Sequence, residues 1–276
     1  MKWMQYFTPA KSISPKEARE YVTKHPDEDF TLLDVRQDSE YQEAHLPGAV
    51  LIPLPQLSDR LTEIDAEKPV LVYCAIGGRS RVAAQMLSGK GFKKVYNMSG
   101  GIKAWQGNKA VGPQDLGLHI FSDVENPCDV LKIAYSLEQG LREFYLGMQK
   151  ESKRKEVKSL FATLAEIEIK HQDEVIAAYK EYCTESVDRQ TFELEVEAHA
   201  MEGGLSTEEY LELFDPDLSS EKDVISLAMS IEAQAHDLYL RLGAQLENIQ
   251  AKDAVNKIAN DEKQHLESLG RLMDTL

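Results

Sequence analysis

Hydrophobic and polar positions follow two different rhythms along the chain. In the first 110 residues, short apolar runs alternate with amphipathic stretches. TLLDV (31–35), AVLIP (49–53), PVLVYCA (69–75) and VYNM (95–98) are rich in β-branched residues and bounded by Pro, Gly or charge, the pattern of buried strands. Between them SPKEAREYVTKH (14–25), PQLSDRLTEI (55–64) and RSRVAAQMLSGKG (79–91) predict helices. Ser14, Pro15 and Glu17 form a start signal for the first of these, and Gly89 and Gly91 end the third. Gly100-Gly101-Ile102-Lys103-Ala104-Trp105 closes this half with a turn and a short helix. Strands alternating with helices predict an α/β domain over 1–110, a mostly parallel sheet flanked by helices. Residues 107–124 hold Gly107, Gly112, Pro113 and Gly117 without a clear period, and 111–124 read as a linker.

From residue 125 to 276 the period is helical. Residues 130–149, 157–182, 223–245 and 253–273 form four long amphipathic stretches, which predict a four-helix bundle. The connection between the second and third, roughly 184–221, is long. It carries its own helix-like piece, STEEYLELF (206–214), and a stop at Asp215-Pro216. One long central crossover is the ferritin-like topology.

The bundle contains an internal repeat. Asp129-Val130 recurs as Asp223-Val224, Glu138 as Glu232, Tyr145-Leu146 as Tyr239-Leu240, Glu168 as Glu262 and His171 as His265, each at an offset of 94. Each copy is a helical hairpin with a Glu and, thirty residues on, a Glu-x-x-His. Thirty residues carry the chain up the rest of one helix, through a turn and level again on the next. Glu168 and His171, three apart, share a face. Two such hairpins bring four carboxylates and two imidazoles to one height in the core. Four buried, unpaired carboxylates are prohibitively costly to keep ionised, and two divalent ions balance their charge. Carboxylate and imidazole donors suit iron or manganese, so the expected cofactor is a pair of iron ions, or a mixed iron–manganese pair. Tyr145 and Tyr239 are placed to hydrogen-bond the ligand carboxylates. His199 and His236 have no such support from the repeat.

This half resembles the rubrerythrin/ferritin-like diiron carboxylate family, through Glu138, Glu168, His171, Glu232, Glu262 and His265. The family usually adds a Glu one turn after the third-helix ligand, where this chain has Ala235, and a cysteine-ligated iron domain, for which this chain has no paired cysteines.

In the first half, the strand PVLVY runs into Cys74-Ala75-Ile76-Gly77-Gly78-Arg79-Ser80 and then a helix. A cysteine at the carboxyl end of a parallel strand, just before a helix, sits where backbone N–H groups converge to cradle an anion. That potential favours the thiolate, a nucleophile. Gly77 and Gly78 allow the tight curl, and Arg79 adds a positive fork for an oxyanion.

These residues, with Leu33-Asp34-Val35-Arg36, the Glu40 to Ala49 segment and Gly100-Gly101…Trp105, resemble the single-domain rhodanese family. The resemblance implies that Cys74 takes sulfane sulfur from thiosulfate or a persulfide, carries it as a persulfide and hands it to a thiol or cyanide. Four residues separate Cys74 from Arg79; dual-specificity phosphatases of this fold use five, a wider cradle suited to phosphate. Asp34 and Arg36 read either as a structural pair or as substrate contacts, and His45 as structural.

Charge sharpens the division. The chain of 276 residues carries a net −16; residues 1–110 hold 15 Lys/Arg against 13 Asp/Glu, and residues 111–276 hold 16 against 34. Nucleic acid is therefore not an expected partner. The three cysteines, Cys74, Cys128 and Cys183, are an odd number without a C-x-x-C pair, so no disulfide scaffold is expected and Cys128 and Cys183 read as ordinary thiols. No membrane-spanning run and no secretion signal are read, which makes the cytoplasm the expected compartment. A homodimer and an external electron donor are the remaining expected partners. Two functional readings follow. One is a sulfurtransferase fused to a diiron bundle that handles peroxide, oxygen or reactive sulfur. The other is a persulfide or redox sensor, or a carrier, whose bundle binds iron without turnover. A bundle serving only for dimerisation is a third.

Overall fold

The computed structural model describes residues 10–122, 124, 126–183, 189–194 and 201–276. The chain divides into two compact units, Met1–Gln114 and Asp115–Leu276.

The first unit is a five-stranded sheet of β1 (Lys11–Ile13), β2 (Thr31–Asp34), β3 (Val50–Leu51), β4 (Val70–Tyr73) and β5 (Val95–Met98). Its order is β1-β5-β4-β2-β3 and every pair is parallel. β4 is central and buried at all four positions, as expected for a run of Val, Leu, Val and Tyr covered on both faces. The helices are α1 (Pro15–Lys24), α2 (Asp38–Glu43) and α3 (Gly78–Gly89). α1 starts at the expected capping box of Ser14 and Glu17. The stretch 55–64, expected as a helix, forms only two 3-10 turns, Leu54–Gln56 and Leu61–Glu63. Between them the Ser58 hydroxyl donates to Asp59, a local side-chain bond of the kind that competes with helix. β1 and α2 had no clear sequence signal, being three and six residues long.

The second unit is built on α4 (Pro127–Glu151), α5 (Lys155–Tyr182), α8 (Glu221–Gln245) and α9 (Ile249–Met273), with α6 (Arg189–Leu194) and α7 (Thr207–Phe214) in the crossover. α7 opens at a Ser206–Glu209 capping box and ends at Asp215 in the left-handed region, as the STEEYLELF…Asp215-Pro216 pattern predicts. The core of this unit is two apolar clusters. One gathers the start of α4, the end of α5, the end of α8 and the start of α9, around Leu131, Tyr179, Leu238 and Val255. The other gathers the opposite ends, around Leu141, Phe161, Ile231 and Leu269. α4 and α8 therefore run antiparallel, which is how a repeated hairpin meets its copy across a twofold axis.

Two expectations are corrected here. Residues 111–124 are not simply a linker: Leu118–Phe121 forms a 3-10 turn, and Phe121 is buried against Tyr239 in the first bundle cluster. Burying an aromatic ring outweighs keeping this stretch as loose chain. Cys128 and Cys183 are not ordinary thiols; they form a disulfide. The antiparallel hairpin sets the first turn of α4 level with the end of α5, so two cysteines 55 residues apart meet. An odd cysteine count carries no information about that proximity.

Candidate functional site

Cys74 directly follows β4, and its side chain is fully buried at the start of the loop into α3. Its Sγ accepts from the Gly77 N–H at 3.1 Å and lies 3.4 Å from the Ser80 hydroxyl. Burial pushes the thiol up. The Ser80 hydroxyl and the backbone N–H groups of Ser80, Ile76 and Gly77 outweigh it and hold the thiol below its ordinary value. This is the thiolate-favouring cradle that the glycines and the helix start predict.

The curl depends on two glycines. Gly77 has φ +92°, open to glycine, and caps α3. Gly101 has φ +60°, and a Cβ there would collide with the Cys74 carbonyl oxygen. The next two residues explain why the approach is so close. Ile102 N–H donates to the Cys74 carbonyl at 2.8 Å and Lys103 N–H to the Ala75 carbonyl at 3.1 Å. The Gly100-Gly101 turn thus takes up the carbonyls of the loop and leaves its N–H groups to the sulfur. Gly101→Ala is expected to shift the Cys74–Ala75 backbone and to lower any thiosulfate-to-cyanide transfer by the protein about 100-fold, checked by steady-state assays beside a thermal melt. Of the other predicted loop residues, Ile76 stands 68% exposed at the tip, Ser80 is buried and Gly78 begins α3.

Arg79 has a partner that sequence reasoning did not assign. Its Nη1 and Nη2 each donate to a Glu40 carboxylate oxygen at 2.6 Å. That bidentate bond holds the Glu40 carboxyl down at about 2. Glu40 in turn caps α2. The Arg79 charge is therefore balanced, and an incoming anion reaches it only by sharing the guanidinium with Glu40. Asp34 and Arg36 pair with each other. Arg36 Nε lies 2.9 and 3.0 Å from the two Asp34 oxygens, and Nη2 donates to the Ala44 carbonyl at 2.6 Å. Both residues are buried. His45 is buried and stacks on Tyr41. Asn97 was missed: it accepts from the Ser80 hydroxyl at 2.6 Å and donates to Ser12. Its signal was a buried amide inside an apolar strand, which needs a partner.

The six predicted ligands of the second unit all lie between its two apolar clusters. Glu138, Glu168, Glu232 and Glu262 are each at most 2% exposed. His171 Nδ1 is 3.0 Å from Glu168 Oε2 and 3.5 Å from Glu138 Oε2. His265 Nδ1 is 3.2 Å from Glu262 Oε2 and 3.4 Å from Glu232 Oε2. The two imidazoles stack in parallel, centroids 3.2 Å apart. Two groups, Glu138–Glu168–His171 and His171–Glu232–His265, hold ligand atoms within 4.8 Å of one another. A cavity of about 320 Å³ opens onto His171, Glu232 and His265 between α5 and α9.

The unmet bonding of these residues fits a metal pair. Oε2 of Glu138, Oε2 of Glu232 and Oε1 of Glu262 are buried without a hydrogen-bond partner, as is the Tyr145 hydroxyl. Natural cores do not retain such groups without a reason. Tyr145 lies in the field of Glu168, Glu232 and Glu138, and burial with those carboxylates pushes its hydroxyl well above its ordinary value. Tyr239, its repeat mate, is buried in the opposite cluster. His236 is buried on α8 outside the ligand set, and His199 lies outside the described residues.

Burial raises Glu138 and Glu168 to about 8 and Glu262 well above the usual carboxylate range. At Glu232 burial is outweighed by the close approach of His265 and Glu262, which holds it at about 2. In the unfolded chain Glu138 and Glu168 release their protons near 4.5, whereas the fold retains them to about 8. The metal-free bundle is thus expected to lose stability as pH rises from about 4.5 to 8. Metal displaces those protons, so affinity for a divalent ion should rise over the same window, with proton release measurable by calorimetry in buffers of different ionisation heat.

Comparison with known proteins agrees with both halves. Residues 14–108 match the rhodanese-like domain family and residues 129–273 match the rubrerythrin family. Thiosulfate sulfurtransferase GlpE of Coxiella burnetii is 41% identical over 96 residues, 35% of this chain and 87% of that protein. YrkF of Bacillus subtilis, a sulfur carrier protein by its name, is 41% identical over 81 residues; the match spans 29% of this chain and 44% of YrkF. A solved rhodanese-like domain protein of Staphylococcus aureus is 29% identical, covering 34% of this chain and 90% of that one, with a TM-score of 0.32. Among the described residues, no helix is long and apolar enough to cross a membrane.

Proposed function

The chain belongs to the rhodanese-like family over residues 14–108 and to the rubrerythrin family over residues 129–273, and from that premise we propose a sulfurtransferase that works through a Cys74 persulfide and carries a diiron centre for peroxide, oxygen or reactive sulfur. The observation that supports the sulfur half is the buried Cys74 sulfur held by the Gly77 N–H, with its thiol lowered despite burial.

The Cys74 thiolate attacks the sulfane sulfur of thiosulfate. A bond forms between Sγ and that sulfur, the sulfur–sulfur bond of thiosulfate breaks, and sulfite leaves with the electron pair. Cyanide or a thiolate then attacks the terminal sulfur of the persulfide, and the Cys74 thiolate departs. The converging N–H groups hold the negative sulfur before and after transfer, and Arg79, released in part from Glu40, steadies the oxyanion of the donor. Incubation with thiosulfate in the absence of acceptor tests this reading. Intact mass should rise by one sulfur atom on Cys74, and cyanide should remove it; an unchanged mass overturns the persulfide step.

Glu138, Glu168, His171, Glu232, Glu262 and His265 are the residues that would hold the two metals. When bound, iron in such a carboxylate and imidazole site supplies one-electron redox chemistry toward peroxide or oxygen. The chain's own part is to hold the carboxylates dry between two apolar clusters and to release the Glu138 and Glu168 protons as metal enters. The second reading, a sensor or carrier that binds iron without turnover, is favoured by Ala235, fully buried where the family usually adds a Glu. Peroxide consumption by the reduced, iron-loaded protein separates the two: steady turnover excludes the sensor.

A further inference from the structure

We propose that Glu174 is a positioning residue that makes the two metal positions of the bundle unequal, by accepting the outer N–H of His265 while His171 has no carboxylate in that role. The proposal rests on the diiron reading and adds to it a seventh residue outside the repeated ligand set.

Each imidazole has one nitrogen facing the carboxylates. Nδ1 of His171 and Nδ1 of His265 are the atoms near Glu138, Glu168, Glu232 and Glu262. Nε2 of each ring is left to the other side. A histidine that ligates metal through one nitrogen commonly donates its other N–H to a carboxylate, which fixes the ring and raises its basicity. His265 Nε2 has such a partner: Glu174 Oε2 on α5 lies 3.5 Å away. Glu174 reaches it from the other hairpin, across the mouth of the 320 Å³ cavity.

The 94-residue repeat supplies the comparison. The residue equivalent to Glu174 is Ser268 on α9. Its hydroxyl donates at 3.0 Å to the Gln264 carbonyl of its own helix. No carboxylate lies within ion-pair distance of His171 Nε2 among the described residues. Asp261 lines the same cavity and lies in the field of both imidazoles, but among the described residues it forms an ion pair with neither. The six ligands obey the twofold repeat, and Glu174 breaks it. Glu174 is also 55% exposed, so core packing does not account for its place beside a buried ring.

The test is a titration of the metal-free full-length protein with cobalt(II), followed by visible absorption and calorimetry. The wild type should bind two ions in two resolved steps. Glu174→Ala should weaken one step about 10- to 100-fold and leave the other, while Ser268→Ala leaves both. Ser268→Glu, which places a carboxylate beside His171, should bring the two steps closer together. In proton NMR of the cobalt-loaded protein, one imidazole N–H should exchange slowly with water in the wild type and rapidly in Glu174→Ala. Thermal melts of the metal-free variants check that the fold is intact, which the exposure of both positions favours. Two unchanged steps in Glu174→Ala, or an equal effect of Ser268→Ala, overturn the proposal. A wild type that takes up fewer than two cobalt ions overturns the diiron reading and this proposal together, so the two failures are told apart by which protein shows them.

Discussion

Cys74→Ser is expected to lose thiosulfate-to-cyanide transfer by at least about a thousandfold, the scale seen when an enzyme loses its nucleophile, while metal content and thermal stability stay at wild-type values. The substitution is close to isosteric. The Gly77 N–H at 3.1 Å and the Ser80 hydroxyl at 3.4 Å still find an oxygen to face, so the loop has no reason to unfold. What is lost is the ionisable, polarizable sulfur. A serine hydroxyl is not deprotonated by this cradle at neutral pH, and it cannot hold a sulfane sulfur in a reversible bond. Because the six proposed metal ligands belong to the other compact unit, the experiment separates loss of chemistry from loss of structure. Transfer that persists in the variant sinks the assignment of the loop.

Glu168→Gln should do two opposite things. Metal uptake should fall from two ions per chain to at most one, read by elemental analysis, because a neutral amide is a poor ligand for a hard cation and the charge balance of the pair is broken. The metal-free protein should at the same time become more stable than wild type at pH 8. Burial holds Glu168 up near 8, with the Glu232 charge adding to it, so around that pH ionisation of the wild-type residue destabilises the fold, and the amide carries no such charge. In wild type, saturation with metal at a thousandfold excess over its dissociation constant contributes about 4 kcal/mol per site. At roughly 2–4 °C per kcal/mol for a unit of this size, chelation should lower its melting temperature by about 10 °C or more. In Glu168→Gln that difference should shrink. A variant that keeps two metals, or that is less stable than wild type when both are metal-free, removes Glu168 from the ligand set.

Cys128 and Cys183 illustrate how proximity escapes a one-dimensional reading. Nothing in either local sequence marks a partner; the hairpin's geometry alone sets the two helix ends level. Arg79 is similar. Its place after a glycine pair in the loop marked it for an anion, but α2, which supplies Glu40, is six residues long and has little hydrophobic period to betray it. The 55–64 stretch failed for the opposite reason, since its apolar spacing suited a helix while Ser58 and Asp59 offered the backbone local alternatives.

The periodicities and the repeat were decided by the sequence alone. Alternating short apolar runs specify a parallel sheet, a 3.6-residue period specifies four long helices, and the 94-residue offset places Glu138, Glu168, His171 and their copies at one height. These are properties of spacing, and spacing along a helix or strand is geometry already. The tertiary structure alone decided the rest: that Glu40 balances Arg79, that Asn97 and Ser12 support Ser80 behind the sulfur, that residues 118–121 join the bundle's core, and that Glu174 stands over His265. Each of these joins residues from different elements, through contacts that arise only when the elements pack. No pattern along the chain encodes which exposed carboxylate ends 3.5 Å from a buried imidazole.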